Sequence, residues 1–440
     1  MKMGALDSIL RARNPDLVCV TSLCNVWTAH DLCCKAEELR NSCSVVKGKR
    51  IALYCLSSLE LITALIAFDG YASAMLLLPM QEDSNTGANL MAVADCDYAL
   101  HSNAVLKSLS GNQLPSKADE PSQWLLATSG TTGTPKLITH NLASLTRTLK
   151  RNTERGSEFV WGLMYEPARF AGLQVVLQAL VGGSVLNISS KYEFDEQIKA
   201  VLGGGVNALS ATPSLWRKIL MDGRIKDLKF RQITLGGEIV DQKLINALRS
   251  TYPSARITHI YASTEAGAGF SVQDGLAGFP SEWIGTLDAP VQLQIDSNNH
   301  LLIKPSIMPR GDEIHCRLSA EGYLDTQDIV TVSKGRVTFL GRASGVINVG
   351  GNKVSPEEIE VVIREVKGVT DAGVFGKSSG ILGQIVCAEL VIDKSENADS
   401  ILQAVRSHCL SELVPWKRPA IFRIVEALEE TSAGKRRRIG

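Results

Sequence analysis

Ten residues, Ala127-Thr128-Ser129-Gly130-Thr131-Thr132-Gly133-Thr134-Pro135-Lys136, limit what this chain can be more than any other segment. The apolar run Trp124-Leu125-Leu126 leads into them, and the spacing predicts a helix from His140 to Lys150 after them. Glycines let backbone N–H groups turn toward an anion, hydroxyls donate to oxygens the backbone does not reach, and a lysine adds a point charge. The stretch reads as a polyphosphate-binding loop. It is not a Walker A loop: counted from Gly130, that pattern needs glycine at 135 and Ser or Thr at 137, where Pro135 and Leu137 stand.

Around this loop the chain alternates helical and extended patterns. Helical spacing runs from Thr28 to Cys43, from Ser58 to Phe68, from Gly172 to Val181 and from Ser214 to Met221. Short apolar runs lie between them at Arg50–Cys55, Ala74–Leu78, Ser184–Ile188, Gln232–Leu235 and Ile257–Tyr261. Such alternation argues for α/β layers with parallel pairing. Strands ending near 127, 235 and 261 each lead into small polar residues, and ligands of open parallel sheets sit beyond strand carboxyl ends. From about Gln292 the runs become short and β-type, and after the glycine-containing segment Leu340–Gly345 a new alternation begins. With 440 residues the chain is too long for one ordinary core. The expected architecture is a large multi-layer N-terminal domain, 1–341, with mixed and parallel sheets, followed by a small mobile α+β domain, 342–440.

The remaining motifs carry a family resemblance. Ser129–Lys136 resembles the signature loop of the adenylate-forming superfamily, which holds acyl- and aryl-CoA synthetases, peptide-synthetase adenylation domains and luciferases. The other motifs of that superfamily follow in order. The resemblance implies that Thr128, Ser129, Gly130, Thr131, Thr132, Gly133 and Lys136 hold phosphates. It implies that Gly236-Gly237-Glu238 presents backbone and side chain to adenine. In Tyr261-Ala262-Ser263-Thr264-Glu265, where Ala262 replaces the usual glycine, Tyr261 would stack on adenine, Thr264 contact phosphate and Glu265 hold magnesium. Asp328 and Arg342 would meet the ribose, although Gln327 departs from the usual Thr-Gly-Asp. Ser344 stands where the family has an acidic hinge. Gly350-Gly351 resembles the turn lining the acceptor thiol's route, and Lys435 resembles the catalytic lysine that neutralises charge at the α-phosphate.

The acyl side is less marked. Pro167-Ala168-Arg169-Phe170-Ala171-Gly172 aligns with the family's Pro-x-x-His-x-x-Gly segment, placing Arg169 where histidine or an aromatic residue is usual. Arg169 there meets either a substrate anion or a surface carboxylate. Trp161, Tyr165, Phe170, Leu209 and Ala211 are candidate pocket walls. An ammonium would need a buried carboxylate partner, and Glu166 is the one local candidate, so an uncharged-tail aryl or acyl acid is expected.

The implied activity is an AMP-forming acid–thiol ligase using ATP, Mg²⁺ and coenzyme A, with a carrier-protein phosphopantetheine thiol as the alternative acceptor. Competing classes are a nucleotide binder without ligase activity, motivated by Arg169, Ala262, Gln327 and Ser344, and a P-loop kinase, disfavoured by Pro135. Lys plus Arg equals Asp plus Glu at 46 each, so no global field favours nucleic acid or an anionic membrane. Ten scattered cysteines without a C-x-x-C pair read as reduced thiols of a cytoplasmic protein. The most apolar stretch, Leu61–Met80, is interrupted by Asp69 and Gly70, so no membrane span is expected.

Overall fold

The computed structural model describes residues 5–54, 56–80, 82–109, 121–128, 136–149, 151–189, 193–264, 267–286, 291–305, 317–379, 383–393 and 396–429. Two sheets dominate the larger part. One has six strands in the order Val105–Ser108, Tyr98–His101, Arg50–Leu53, Ala74–Leu77, Gln123–Thr128 and Lys136–His140; its inner pairs are parallel and its two edge strands antiparallel. The other has eight strands, in the order Gly267–Val272, Arg256–Ser263, Gln232–Gly236, Ala208–Ala211, Val160–Leu163, Val185–Asn187, Val18–Thr21 and Val26–Thr28. It too is parallel inside and antiparallel at both edges.

The largest buried cluster draws on both sheets and on the helices Ala29–Ser42, Ser58–Phe68 and Phe170–Gly182, which form a layer between them. Further helices cover the outer faces: Ser84–Val93 beside the first sheet, and Phe194–Gly203, Pro213–Asp222 and Gln242–Thr251 beside the second. Local chemistry explains where helices start. Thr28 with Asp31 and Ser57 with Glu60 form reciprocal capping boxes, and Thr212 caps a helix that begins with Pro213. Asp69 is buried; its carboxylate accepts from Leu6 N–H at 2.9 Å and Trp124 Nε1 at 3.0 Å, and burial pushes its pKa up. It ties the first helix to the Gln123–Thr128 strand. Among the described residues no helix is long and apolar enough to cross a membrane.

An antiparallel five-stranded sheet (Phe279–Pro280, Arg336–Arg342, Leu324–Ser333, His300–Pro305, Val291–Ile295) follows. Beyond it, residues from Ile347 to Leu413 form a core of their own. It comprises the strands Ile347–Val349, Asn352–Val354, Val369–Ser379, Gly383–Ile392 and Ile421–Ile424, and the helices Pro356–Glu365 and Ala398–Glu412. The α/β layering expected from the alternation is what the chain adopts.

One local expectation is corrected. The helix expected over His140–Lys150 shrinks to Leu142–Leu145, and His140 ends a strand. Thr128 pairs with Lys136 across antiparallel strands, so the strands on either side of the glycine–threonine segment lie side by side. Gln327 holds the left-handed conformation, φ +61°, that the family's glycine would adopt freely. The Gln327 amide donates to Asp325 Oδ1 and the Asp328 amide to Thr326 Oγ1, and these side-chain acceptors hold the turn inside the Leu324–Ser333 strand.

Candidate active site

One cavity of about 2130 Å³ opens where the strand ends converge. Its walls include Ala127 from the Gln123–Thr128 strand, Gly236–Asp241, Ile260–Thr264, and Asp328 with Phe339–Arg342 from the five-stranded sheet. Residues expected to act together thus share one space although they lie far apart in sequence. Ser129–Pro135, Glu265 and Lys435 lie outside the described residues, and of Thr128 and Lys136 only the backbone is described.

Asp328 organises the rim. Its Oδ1 accepts from Arg342 Nε at 3.0 Å, and its Oδ2 accepts a short hydrogen bond from the Tyr261 hydroxyl. The Tyr261 ring lies nearly parallel to Phe270, with centroids 5.2 Å apart, and to Phe339, at 5.1 Å. Burial, then the neighbouring Asp328 charge, push the phenol's pKa up, so the hydroxyl stays protonated and donates. Asp328 and Arg342 form the expected acceptor and donor fork, with Tyr261 attached to it. Phe339 was missed by sequence reading, for want of any signal beyond an aromatic residue three positions before Arg342.

Thr264 is held from an unexpected side. The buried His140 places Nε2 2.9 Å from the Thr264 carbonyl and Nδ1 3.4 Å from Ser144 Oγ. A carbonyl only accepts, so the Nε2 proton is assigned there. This contact joins an edge strand of one sheet to the strand end of the other. His140 also lies 5.8 Å from the Phe170 ring.

Gly236 ends its strand and Gly237 turns at φ +82°, but the Glu238 carboxylate accepts from Ser214 N–H at 2.9 Å, at the start of the Pro213–Asp222 helix. Ala262 packs against the large core cluster while lining the cavity. Of the pocket candidates, Trp161, Tyr165, Arg169 and Phe170 line the cavity. Leu209 and Ala211 do not: both are fully buried in the core on the far face of the sheet. Successive side chains of a strand alternate, so the residue between them, Ser210, is the one that reaches the cavity.

Arg169 pairs with Glu82 at 3.7 Å, both largely buried, so its ion pair lies in the cavity wall and not on the surface. Burial raises the Glu166 carboxyl to about 7, against hydrogen bonding from Ala168 and the charge of Arg169; it is not among the cavity-lining groups. A substrate ammonium would therefore not meet it. The loop carrying it fits against the Phe170–Gly182 helix only because Gly172 has no Cβ, which would otherwise lie 2.6 Å from the Glu166 carbonyl carbon. Gly350 and Gly351 turn a tight hairpin at φ +55° and +86°, away from the cavity lining.

Among the described residues, no group of three metal-ligating side chains gathers. A buried charge cluster adds Arg217, Asp241 and Arg364 to the cavity lining. Arg217 Nη2 and Arg364 Nε approach Asp241 Oδ2 at 2.5 and 3.3 Å, and Asp371 Oδ1 lies 3.9 and 3.7 Å from the same two guanidiniums. Arg217 and Asp241 belong to the large sheet's helix layer, Arg364 and Asp371 to the C-terminal core.

Comparison with known proteins agrees with this geometry. The profile described as AMP-binding enzyme matches residues 72–299, and that described as AMP-binding enzyme C-terminal domain matches residues 358–435. A probable 2-succinylbenzoate–CoA ligase of Mycobacterium tuberculosis is 27% identical over 331 residues, covering 72% of this chain and 83% of its own. The solved anthranilate CoA ligase AuaEII in complex with anthranoyl-AMP superposes with a TM-score of 0.81 at 15% identity, covering 98% of this chain and 95% of that one. The o-succinylbenzoate CoA synthetase of Bacillus subtilis, solved with its acyl-adenylate intermediate, superposes at 0.75 with 17% identity, covering 98% and 96%. With the family profile spanning more than half its length, the chain belongs to the AMP-binding enzymes.

Proposed function

We propose that this protein is a two-step acid–thiol ligase. A carboxylate oxygen attacks the α-phosphorus of ATP, giving acyl-adenylate and pyrophosphate. The thiol of coenzyme A then adds to the acyl carbon and AMP leaves, giving the thioester. A carboxylate is a poor electrophile; its adenylate carries a good leaving group.

The observation that carries this reading is the convergence on one cavity of the Gln123–Thr128 strand end, Gly236–Gly237, Tyr261–Thr264 and the Asp328–Arg342 pair. In it, backbone and hydroxyls of 128–136 hold the phosphates, Asp328 and Arg342 hold the ribose, and Tyr261 and Phe339 supply aromatic surface for adenine. Thr264 meets a phosphate oxygen, and Glu265 is the residue that would hold Mg²⁺, whose charge supports the leaving pyrophosphate. Lys435 comes from a small mobile domain, taken from residue 342 onward, and neutralises charge at the α-phosphate. Gly350-Gly351 serve the thiol's approach when that domain turns. The aromatic walls Trp161, Tyr165 and Phe170 suit an aryl or acyl acid, as do relatives named for aryl acids. Relatives named as CoA ligases support coenzyme A over a carrier protein. Eight described cysteines are free, which supports a reducing cytoplasm.

The test is pyrophosphate release over aromatic, fatty, dicarboxylic and amino acids, each with and without coenzyme A. Release with AMP as the nucleotide product and coenzyme A-dependent thioester is the expected result. No acid-dependent release across the panel, or ADP as product, overturns the reading; turnover that needs a carrier protein replaces the acceptor.

A further inference from the structure

Asp328 stands in the cavity wall with a protein donor on each of its two oxygens, Arg342 Nε on one and the Tyr261 hydroxyl on the other. The two donors differ in how firmly they are held. The Arg342 side chain is 45% exposed, so water screens its pairing and competes for the guanidinium. Tyr261 is held by packing. Its ring stacks against Phe270, its cross-strand partner, and against Phe339, and Phe270 packs in turn on Phe279 and Trp283. Gly269, on the neighbouring strand, makes room for that ring: a Cβ there would lie 3.2 Å from Tyr261 Cδ1 and 3.0 Å from the Tyr261 carbonyl oxygen. The hydroxyl therefore reaches Asp328 from a fixed point on a different sheet.

The Asp328 backbone is fixed as well. Its amide donates to Thr326 Oγ1 at 3.2 Å, and that hydroxyl donates to the Leu301 carbonyl at 2.7 Å. What remains open is rotation of the carboxylate about its own side-chain bonds, and the Tyr261 hydroxyl is the better anchored of the two groups that stop it. Burial and the Asp328 charge keep the phenol protonated, so the donor is always present. An ionised carboxylate offers about four lone-pair sites, two on each oxygen. With one site per oxygen taken by Arg342 and Tyr261, one per oxygen is left, which suits two hydroxyls on adjacent carbons.

We propose that Tyr261 is a positioning residue for sugar recognition: its hydroxyl fixes the Asp328 carboxylate so that one acceptor on each oxygen meets the 2′- and 3′-hydroxyls of the nucleotide. The ligand class so selected is a ribonucleoside phosphate with an intact cis-diol. This task is separate from the aromatic surface that the ring gives to adenine, and it rests on the reading of Asp328 as the ribose acceptor.

The test is calorimetric binding of AMP and of 2′,3′-dideoxy-AMP to wild type, Tyr261→Phe, Asp328→Ala and the double variant, and it needs no acid substrate. Wild-type protein should prefer AMP by about a hundredfold, as expected for two hydrogen bonds to a charged acceptor. Tyr261→Phe keeps the ring stack; it should bind AMP about tenfold more weakly and dideoxy-AMP within about twofold of the wild type. In the Asp328→Ala background, adding Tyr261→Phe should change AMP affinity by less than about twofold. A purely structural role weakens both ligands alike. Equal losses for both ligands, tighter AMP binding by Tyr261→Phe, or a full tyrosine effect without Asp328 overturns the positioning role and leaves the nucleotide site in place. If wild-type protein binds neither nucleotide or binds both alike, or if Asp328→Ala still discriminates, the ribose reading falls and takes the inference with it.

Discussion

His140 shows how one side chain sets the spacing between two motifs. Its Nε2–H donates to the Thr264 carbonyl, so the strand that ends at His140 is tied to the chain just after Tyr261. Removing that donor with His140→Ala should slow adenylation by about tenfold or more, because small displacements of positioned groups are kinetically costly. His140→Gln, whose amide keeps an N–H, should recover most of the rate, and thioester formation from supplied acyl-adenylate should change less than adenylation does. Equal losses in both half-reactions would reduce His140 to a packing role. Glu166 yields a stability prediction of opposite character. Its folded pKa is about 7, raised by burial above the ordinary value of 4.5. A raised acid binds its proton more tightly when folded, so its stabilising effect is full below about pH 4.5 and lost as pH rises through 7. Glu166→Gln should therefore be more stable than the wild type at pH 8, by up to about 3 kcal/mol, with the gain vanishing in acid. Urea titrations at the two pH values measure it; a gain independent of pH would refute the cause.

At the scale of elements, the joint between the large layers and the C-terminal core depends on charge as well as apolar contact. Two guanidiniums and the carboxylates of Asp241 and Asp371 share a site where each side chain is 10% exposed or less. Burial alone would raise the Asp241 carboxyl, but Arg217 and Arg364 together with the Leu244 amide hold it below the ordinary value. Asp241 also caps the Gln242–Thr251 helix. Asp241→Ala leaves two cations buried without their nearest partner and should destabilise the protein by about 3–5 kcal/mol. Since the Asp241 carboxyl is depressed, its contribution is present above the ordinary carboxylate range and is lost as pH falls below it. The gap between wild type and Asp241→Ala in urea should therefore close in acid. A neutral substitution at pH 7 would mean that the joint is held by apolar packing alone.

For the whole molecule, adenylation and thioester formation make different demands on one cavity. Lys435, outside the described residues, is needed in the proposed cycle only while charge builds at the α-phosphate. Lys435→Ala should lower acyl-adenylate formation by several powers of ten and spare thioester formation from supplied acyl-adenylate. Parallel single-turnover measurements of the two half-reactions decide it, and an equal fall in both would make the lysine structural.

What the sequence determined by itself is local: the helix at Ser58–Phe68, the strands that feed the motifs, the glycine turns at 236–237 and 350–351, and the order of motifs that carries the family. Capping, periodicity and backbone freedom act over a few residues and are written where they act. Tertiary structure decided which side chains meet. Glu238 turns to Ser214 across 24 positions, Tyr261 to Asp328 across 67 and His140 to Thr264 across 124. The same holds for sidedness: Ser210 faces the cavity while Leu209 and Ala211 enter the core. Register and sheet order come from packing the whole set of layers, so no window of sequence contains them.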